Sequence, residues 1–564
     1  MKNIYFIEAK SPGAHIFSRT RIPRLGAIMM ATILRDRGYN TKVFIEDIAK
    51  IDWSLLEDAD MICISSITST APRAYEIAKR FSGKKIPVVM GGPHSTFMTE
   101  ESLQHANYVV RGEGEETIIE LVNLLSGNAN INQHVGIIKG LSYWHNGRIY
   151  HNPNRELIPD LNIYPIPDLN LVYRWNKTVI PVATSRGCPF NCKFCSVIPM
   201  FGRKIRTRST GLVIEELKQV EKYKPRHVFI IDDNFAPKKE RARVKELLKA
   251  MIENSIKLEW SAQVRADAAE DEELLVLMKK AGCFAVYIGF ESINPETLRL
   301  YNKGQSLDDI RNAIHVFKKY SINIHGMFVL GSDTDDIQTI KNTARLAKEL
   351  EIDSVQFMML TPLPGTPLFG ELKDQGRLLH TDWSKYDAHH AVFDPCNMSA
   401  LELHIYTLKA MKKFYSWWEI LRKLVKIKWY HVMVKWYGNR SVSKALRKKK
   451  KYLSLLSDII DGSVKKFPRE KVKGIAVVTE GHEADNYGRN FFKIFLEDLG
   501  IEDPQIEMVQ EGSLPIRGFS LNQLCRKIGN SLGAKDKKIR RAFEIARGVL
   551  NGVDLECTKA KFIM

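Results

Sequence analysis

Residues 179–195 read VIPVATSRGCPFNCKFC, an apolar strand followed directly by a loop that carries three cysteines. From this strand to about Phe369, short apolar runs alternate with amphipathic stretches, which predicts a repeated strand and helix unit. We predict six strands, at 179–184, 227–231, 259–263, 285–290, 323–330 and 354–360. Six such units indicate a parallel partial β/α barrel, smaller than the usual form of about eight units.

Active sites of parallel barrels lie at the carboxyl ends of the strands. The cysteine loop directly follows the first predicted strand, and polar side chains follow three later ones: Asp232 and Asp233, Gln263 and Arg265, and Glu291. Each of these could be an ordinary buried polar group. Their shared position at one rim favours a common ligand-binding role.

The three cysteines, Cys188, Cys192 and Cys195, have the spacing C-x3-C-x2-C, so their thiolates can surround one metal centre. A structural zinc site would need a fourth ligand, and no nearby Cys or His supplies an obvious one. An iron–sulfur cubane held by three cysteines leaves one iron open to a cofactor, while zinc and chance clustering remain alternatives. The other cysteines are scattered and are interpreted as buried, unreactive thiols: Cys63, Cys283, Cys396, Cys525 and Cys557.

Continuous apolar strands and amphipathic helices also alternate over the first 135 residues, which predicts a doubly wound, Rossmann-like parallel sheet. Ligands of such sheets bind beyond the carboxyl ends of the strands. Small and polar residues follow three of the predicted strands: Ser65 and Ser66, then Gly91, Gly92, Pro93 and His94, then Gly112, Glu113, Gly114 and Glu115. Each loop alone reads as an ordinary turn, but together they favour a broad ligand. A dinucleotide is disfavoured because no Gly-x-Gly-x-x-Gly fingerprint is present.

The cysteine loop and its barrel resemble the radical S-adenosylmethionine superfamily. In that family the three cysteines hold a 4Fe-4S cluster, and reductive cleavage of S-adenosylmethionine yields a 5′-deoxyadenosyl radical. The resemblance implies that Phe194 packs near the adenine and that Asp232 and Asp233 follow the strand where the methionine amino group binds. It further implies that Gln263 and Arg265 lie near the carboxylate, and that Glu291 accepts hydrogen bonds from the ribose.

Together with the amino-terminal domain, the chain resembles the cobalamin-binding members of that superfamily over about residues 1 to 420. The resemblance implies methylation of an unactivated carbon on a small-molecule or lipid substrate, with radical cyclisation or oxidation as the runner-up. It also implies an electron donor such as flavodoxin or ferredoxin. No Asp-x-His-x-x-Gly motif is present, so we expect His94 to make a loop hydrogen bond and not to ligate cobalt. Two further alternatives are disfavoured, a non-catalytic sensor and an RNA-modifying methylthiotransferase.

The chain carries 84 basic and 65 acidic side chains, a net charge of +19, and +13 of this lies in residues 411–451. Six apolar residues recur there at helical spacing and are predicted to share one helix face: Phe414, Trp417, Trp418, Leu421, Leu424 and Val425. The segment reads either as a helix packed on the barrel or as an interfacial helix on an anionic membrane. Nucleic acid is the less favoured ligand, because no RNA-binding module is visible elsewhere.

We therefore predict an α/β protein with five parts: a cobalamin-binding domain at 1–135, a linker at 136–175, the barrel at 176–375, a helical basic aromatic segment at 376–465 and a small α/β accessory domain at 466–564. No apolar run approaches the roughly 20 residues that cross a bilayer. This predicts a cytoplasmic protein, with peripheral contact at the inner face of the membrane as the alternative.

Overall fold

The computed structural model describes residues 1–10, 22–127, 134–420 and 433–443, together with the backbone of strands at 474–479, 505–510 and 559–563. The chain divides into two compact units. The first comprises residues 1–376, 383–391 and 395–439, and the second comprises residues 377–382, 392–394 and 440–564.

The first unit begins with a seven-stranded sheet of order β2-β1-β3-β4-β5-β6-β7. Its strands are β1 (Asn3–Glu8), β2 (Asn40–Ile45), β3 (Met61–Ser65), β4 (Val88–Gly91), β5 (Tyr108–Val110), β6 (Leu141–His145) and β7 (Arg148–His151). Its helices are α1 (Leu25–Arg35), α2 (Ala71–Lys79), α3 (Pro93–Phe97), α4 (Thr99–Leu103) and α5 (Glu115–Ser126). Strands β1 to β5 are parallel and mostly buried, which confirms the predicted doubly wound, Rossmann-like arrangement.

Asn146 and Gly147 are a typical turn pair and predict a hairpin, which is present between β6 and β7 but is not a free connector. Strand β6 pairs antiparallel with β5, and β7 pairs with β6, so the hairpin extends the first sheet. The prediction that 136–175 is only a linker is therefore wrong for residues 141–151. The physical reason is that β5 would otherwise be an exposed sheet edge, which proteins usually cover.

The second sheet of the first unit has six parallel strands in the order β15-β14-β13-β12-β11-β8. The strands from here on are β8 (Val179–Val182), β9 (Ser185–Arg186), β10 (Arg206–Thr207), β11 (His227–Ile230), β12 (Trp260–Val264), β13 (Cys283–Glu291), β14 (Asn323–Leu330) and β15 (Ser354–Met359). The helices are α6 (Val197–Phe201), α7 (Thr210–Lys222), α8 (Arg241–Glu253), α9 (Glu272–Lys280), α10 (Pro295–Leu300), α11 (Leu307–Lys319), α12 (Ile337–Glu349), α13 (Pro367–Asp374) and α14 (Ala400–Phe414). All six predicted barrel strands are observed.

Aromatic side chains on neighbouring strands of this sheet pack against one another. The rings of Phe290, Phe328 and Phe357 follow one another at 5.6 and 5.5 Å between centres. Helix α14 adds Phe414, whose ring centre lies 6.3 Å from that of Phe357. This helix begins with a capping box between Ser399 and Glu402, a local signal that fixes its first turn. Through the contact between Phe414 and Phe357, the helix covers β15, the last strand of the sheet.

The basic aromatic segment does not continue α14 as one helix, so the prediction of a single apolar face is wrong for its described part. Helix α14 ends at Phe414, which is fully buried, whereas Trp417 and Trp418 are 60% and 80% exposed. The hydroxyl of Tyr415 bonds to the backbone N–H and carbonyl of Val355, and this contact turns the chain away. Leu421, Leu424 and Val425 lie outside the described residues.

In the second unit, three strands form a sheet of order β17-β16-β18: β16 (Gly474–Thr479), β17 (Gln505–Gln510) and β18 (Lys559–Ile563). The apolar run at 474–478 predicts a strand, and β16 confirms it. The sequence also predicts helices at 486–499 and 535–550, which fall outside the described residues. Across the parts of the chain that the structure describes, no helix combines the length and apolarity needed to span a bilayer.

Candidate functional site

Two short strands close the base of the cysteine loop. Strands β9 and β10 pair antiparallel, with Arg186 opposite Arg206, so they bring together the two ends of the segment 187–205. Gly187 has a φ of +95°, and a Cβ there would lie 2.5 Å from the carbonyl oxygen of Lys204. Only glycine tolerates both the backbone conformation and this approach. The loop that leads into Cys188 therefore begins at an obligatory glycine.

The three cysteines of the loop are free and partly buried. Burial raises the pKa of each thiol, to about 12 at Cys195, while the charges of Lys303 and Arg265 oppose the rise at Cys192. Among the described residues, no three Cys, His, Asp or Glu side chains converge closely enough to hold a single metal ion. A cubane does not need such convergence on one ion, because each of its irons takes its own thiolate.

The two aspartates after β11 have different surroundings. Asp232 is 1% exposed, and its carboxylate accepts hydrogen bonds from the backbone N–H of Thr184 at 2.6 Å and the hydroxyl of Ser185 at 2.7 Å. Asp233 is partly exposed, and burial together with the charge of Asp232 raises its pKa to about 6. Asp232 is thus occupied by the start of the cysteine loop, and Asp233 is the aspartate that remains accessible to a ligand.

Gln263 and Arg265 lie at the carboxyl end of β12, as predicted. The Arg265 guanidinium carbon lies 3.7 Å from the ring centre of Phe190, and Nη2 donates a hydrogen bond to the carbonyl oxygen of Lys303. Arg265 is buried, and Gln263 is half-buried. The arginine therefore contacts the cysteine loop itself, between its first and second cysteines.

Glu291 ends β13 with a φ of +60°, an uncommon conformation for a residue other than glycine. Its Oε1 lies 2.7 Å from the Nζ of Lys303, and both side chains are nearly buried. The ring of Phe194 meets that of Tyr301 edge-on, with 4.9 Å between centres. Both residues therefore contact the same turn, at 301–304.

The turn at 301–304 was not predicted to belong to the site. The backbone N–H of Lys193 donates to the carbonyl of Tyr301 at 3.4 Å, and the Asn302 side chain donates to the carbonyl of Asn191 at 3.2 Å. Asn302 and Gly304 both have positive φ, so the Asn-Lys-Gly sequence is a turn signal. The Asn-Lys-Gly motif predicts a turn, but it does not predict that this turn packs against the cysteine loop.

The loops after β3 and β4 pack closely together at the rim of the first sheet. Gly92 has a φ of +93°, and a Cβ there would lie 2.6 Å from the carbonyl oxygen of Ser66 and 3.1 Å from the hydroxyl of Ser65. The hydroxyl of Ser66 is buried and has no hydrogen-bond partner among the described residues. Buried hydroxyls normally have a partner, so this rim fits a cofactor that approaches the backbone at Gly91 and Gly92.

His94 and Pro93 take part in the local structure of this rim. Pro93 is the first residue of α3, and His94 is completely buried. The Nε2 of His94 lies 2.9 Å from the hydroxyl of Tyr75 and 3.6 Å from a carboxylate oxygen of Glu101. These contacts agree with the expected loop hydrogen bond, and they occupy the Nε2 atom.

The third rim loop, after β5, contacts the barrel. Glu113 lies 3.0 Å from Arg186 and 2.6 Å from Arg206, and Glu115 lies 2.6 Å from Arg186, measured between carboxylate oxygens and guanidinium nitrogens. The prediction that these glutamates contact cobalamin is therefore not supported by their geometry. The backbone N–H of Gly112 bonds to the hydroxyl of Thr96 at 3.0 Å, and a Cβ at Gly114 would lie 3.0 Å from Val110.

A segment after the barrel, residues 383–391, contacts both rims. The Nε1 of Trp383 donates to Glu101 at 2.8 Å, and the carbonyl of Ala388 accepts from the N–H of Met359, at the end of β15, at 2.8 Å. Asp387 and His390 pair at 2.9 Å. The segment was predicted to be helical, but its regular structure is a short 3₁₀ turn at Trp383–Lys385. Its contact partners lie in separate domains, which sequence spacing does not disclose.

Two family models match the chain. The model of the radical SAM superfamily matches residues 182–347, which include the cysteine loop. The model of the B12 binding domain matches residues 18–122, which include all three rim loops of the first sheet. The fold and the site thus define a class of enzyme that combines a radical S-adenosylmethionine barrel with a cobalamin-binding domain.

Named relatives agree with both family models. The chain is 33% identical to the uncharacterized methyltransferase PH0819 of Pyrococcus horikoshii, over 70% of this chain and 88% of that protein. It is 30% identical to the bacteriochlorophyllide d C-12(1)-methyltransferase of Chlorobaculum tepidum, over 65% of this chain and 76% of that protein. The solved structure of the radical S-adenosylmethionine methyltransferase TsrM from Kitasatospora setae, with cobalamin and a 4Fe-4S cluster bound, matches with a TM-score of 0.57 at 17% identity, over 67% of this chain and 75% of that one.

The chain therefore belongs to the cobalamin-binding family of radical S-adenosylmethionine enzymes. Its cofactors are a 4Fe-4S cluster, S-adenosylmethionine and cobalamin.

Proposed function

We propose that the protein transfers a methyl group to an unactivated carbon of a small-molecule substrate. The proposal is carried by one observation, which is that Glu113 of the cobalamin-domain rim is ion-paired with Arg186 at the base of the cysteine loop. Such an arrangement keeps two cofactors near one substrate. Both relatives described above are named methyltransferases, which supports the reaction type. When bound, the cluster supplies a 5′-deoxyadenosyl radical from S-adenosylmethionine, and cobalamin supplies the methyl group.

In this proposal the protein's own residues bind and orient the cofactors. Cys188, Cys192 and Cys195 hold the cluster. The residues that contact S-adenosylmethionine are Phe194, Asp233, Gln263, Arg265 and Glu291. Asp233 faces the ammonium group, since the carboxylate of Asp232 is already bonded to Thr184 and Ser185. Arg265 presents a planar guanidinium to the carboxylate, a geometry that favours paired hydrogen bonds.

We assign cobalamin to the rim of the first sheet. The residues that approach it are Ser65, Ser66, Gly91, Gly92, Pro93, Gly112 and Gly114, with His94 behind them. The support is the orphaned hydroxyl of Ser66 and the lack of space for any side chain at Gly92. The chain's contribution there is shape and exclusion of water, because no histidine motif for cobalt ligation is present.

The substrate is proposed to be a tetrapyrrole or a lipid. The proposed electron donor is flavodoxin or ferredoxin. A lipid substrate agrees with the exposed indoles of Trp417 and Trp418, which lie in the basic segment 411–451. Aromatic side chains beside lysines favour the surface of an anionic membrane. We therefore propose a cytoplasmic protein that touches the inner face of the membrane through this segment.

Radical cyclisation is the second candidate. It is favoured by a relative named anaerobic magnesium-protoporphyrin IX monomethyl ester cyclase, to which the chain is 29% identical. Methylation and cyclisation both fit the same cofactors, and they differ in whether the methyl group reaches the product.

The test is anaerobic turnover of reconstituted enzyme with S-adenosylmethionine labelled in its methyl group, in an extract that supplies substrates. Methyl transfer predicts 5′-deoxyadenosine together with label in one extracted compound. Cyclisation predicts 5′-deoxyadenosine, a product lighter by two hydrogens and no label in it. If no 5′-deoxyadenosine forms, both candidates are wrong.

Matched cysteine variants tie the result to the proposed site. Cys195→Ala should lose the iron content of about four atoms per chain and all product. Cys396 is exposed, so the prediction that it is a buried thiol is wrong; Cys396→Ala removes a cysteine outside the loop and should behave as wild type. Full iron content in Cys195→Ala would contradict the assignment of the cluster.

A further inference from the structure

Arg186 and Arg206 create an electrostatic problem at the base of the cysteine loop. They lie directly opposite each other in the β9–β10 pair, and like charges in facing positions destabilise a strand pair. Their side chains are 22% and 3% exposed, so water screens this repulsion weakly. A neighbouring anion is needed to stabilise the pair.

Glu113 supplies that anion from the other cofactor domain. Its Oε1 lies 3.0 Å from the Nη1 of Arg186, and its Oε2 lies 2.6 Å from the Nη1 of Arg206. The Glu113 side chain is 2% exposed. One carboxylate thus bridges both arginines. Arg186 lies one residue before Gly187, and Arg206 lies at the far end of the same loop.

The remaining contacts leave Glu113 no open position toward a ligand. Its Oε2 also accepts a hydrogen bond from the backbone N–H of Ile158 at 2.8 Å, and the same Arg206 donates to the Ile158 carbonyl at 2.8 Å. Glu115 adds a second carboxylate to Arg186 at 2.6 Å. The cluster joins the cobalamin rim to the cysteine loop through buried, charged hydrogen bonds, which are the stronger kind.

We propose that Glu113 is a positioning residue, which fixes the cobalamin rim relative to the cluster by holding Arg186 and Arg206. It touches neither cofactor. Since reacting groups must be placed to within about 1 Å, a loose connection between the two rims would impair any chemistry that uses both cofactors. The proposal rests on the presence of both cofactors and not on methyl transfer, so failure of the proposed reaction would leave its test valid.

The test compares wild type, Glu113→Gln and Glu120→Gln in reconstituted protein carrying hydroxocobalamin. Glu120 pairs with Arg155 at 2.6 Å on α5, which makes it a matched ion-pair control. We expect Glu113→Gln to keep its iron and to bind hydroxocobalamin within about twofold of wild type, because the Glu113 carboxylate bonds to Arg186, Arg206 and Ile158 and not to a cofactor. After reduction, electron paramagnetic resonance measures the spin–spin interaction between cob(II)alamin and the reduced cluster. The distribution of this interaction should broaden in Glu113→Gln and stay unchanged in Glu120→Gln.

If Glu113→Gln does not fold, the same measurement is made on a double variant, Glu113→Gln with Arg206→Gln. It removes one of the facing charges along with the bridge, so it should fold and show broadening between wild type and the single variant. Unchanged broadening in every folded variant, even with a lowered unfolding midpoint, would leave Glu113 a purely structural role and overturn the proposal. A loss of about tenfold or more in hydroxocobalamin affinity with an unchanged interaction would overturn it too, by making Glu113 a cobalamin contact.

Discussion

The central guanidinium carbon of Arg265 lies 3.7 Å from the ring centre of Phe190. Phe190 stands between the first two cysteines of the loop, whereas Arg265 follows β12. A cation over an aromatic face is attracted by the electron density of the ring. The contact thus links the strand end proposed to bind S-adenosylmethionine to the loop proposed to hold the cluster.

Replacing Arg265 with lysine should weaken S-adenosylmethionine binding about tenfold, because an ammonium cannot stack as a plane or donate two parallel hydrogen bonds. Iron content should change little, since the positive charge is kept. Equilibrium dialysis and iron analysis of the reconstituted protein measure both quantities. Arg299→Lys, on the exposed face of α10, is the control and should bind normally. Equal affinities in the two variants would contradict the assignment of Arg265.

Breaking the ion pair between Lys303 and Glu291 should strongly lower the free energy of unfolding. Their charged atoms lie 2.7 Å apart, and the side chains are 7% and 10% exposed. Lys303→Met leaves the carboxylate of Glu291 buried without its partner, which should lower the free energy of unfolding by about 3 kcal/mol. Urea unfolding of the cluster-free protein under reducing conditions measures the change.

A second variant tests whether the lost stability comes from the broken ion pair or from the packing of the Lys303 side chain. Lys303→Met combined with Glu291→Gln removes both charges and should recover most of the lost stability. If the double variant is as unstable as Lys303→Met alone, the loss comes from packing of the lysine chain and not from an unpaired carboxylate.

The fold was predictable because most of the buried strands are rich in apolar residues. The strand Asn323–Leu330 has the predicted bounds, and the cysteine loop follows β8 as expected. The rim position of the polar residues followed from the same pattern, since all strand ends of a parallel sheet lie on one side. Local sequence thus determined where the candidate site lies.

The partners of the site residues were not predictable, because they depend on long-range contacts. Glu113 bonds to residues 73 and 93 positions away, so nothing near it in the sequence reveals an ion pair in place of a ligand contact. Asp232 and Asp233 are adjacent, and only packing decides which one is bonded to Thr184. The helix periodicity after Phe414 was misleading because the Tyr415 hydroxyl binds the backbone of a strand.

Gly92→Ala should disrupt the rim proposed to bind cobalamin. The added Cβ would lie 2.6 Å from the carbonyl oxygen of Ser66, and the backbone there has a φ of +93°. Both strain and collision are expected, so hydroxocobalamin binding, followed by its absorbance, should fall at least about tenfold. Gly38→Ala is the matched control, because Gly38 also has a positive φ of +90°, has open space around its Cβ position and is not among the residues assigned to cobalamin. Equal losses in both variants would show that backbone strain alone is responsible.

His325 should make the stability of the cluster-free protein depend on pH. Its Nδ1 lies 2.8 Å from the hydroxyl of Ser354, and burial lowers its pKa from 6.5 to about 4. The folded protein keeps this imidazole neutral, whereas the unfolded chain takes up a proton below about pH 6.5. Stability should therefore be constant with respect to this group above pH 6.5 and fall by up to about 3 kcal/mol as the pH decreases to 4. The pKa of His227 is also lowered by burial, to about 4, so it adds a similar dependence.

His325→Gln should accordingly reduce the fall in stability between pH 6.5 and 4 by up to about 3 kcal/mol, while the contribution of His227 remains. The measurement is the urea midpoint of unfolding at a series of pH values, without iron or cobalamin. His315→Gln, which changes an exposed imidazole on α11, is the control and should follow the wild-type profile. An unchanged profile in His325→Gln would mean that the buried imidazole is protonated in the folded protein, or that the fold opens around it before it titrates.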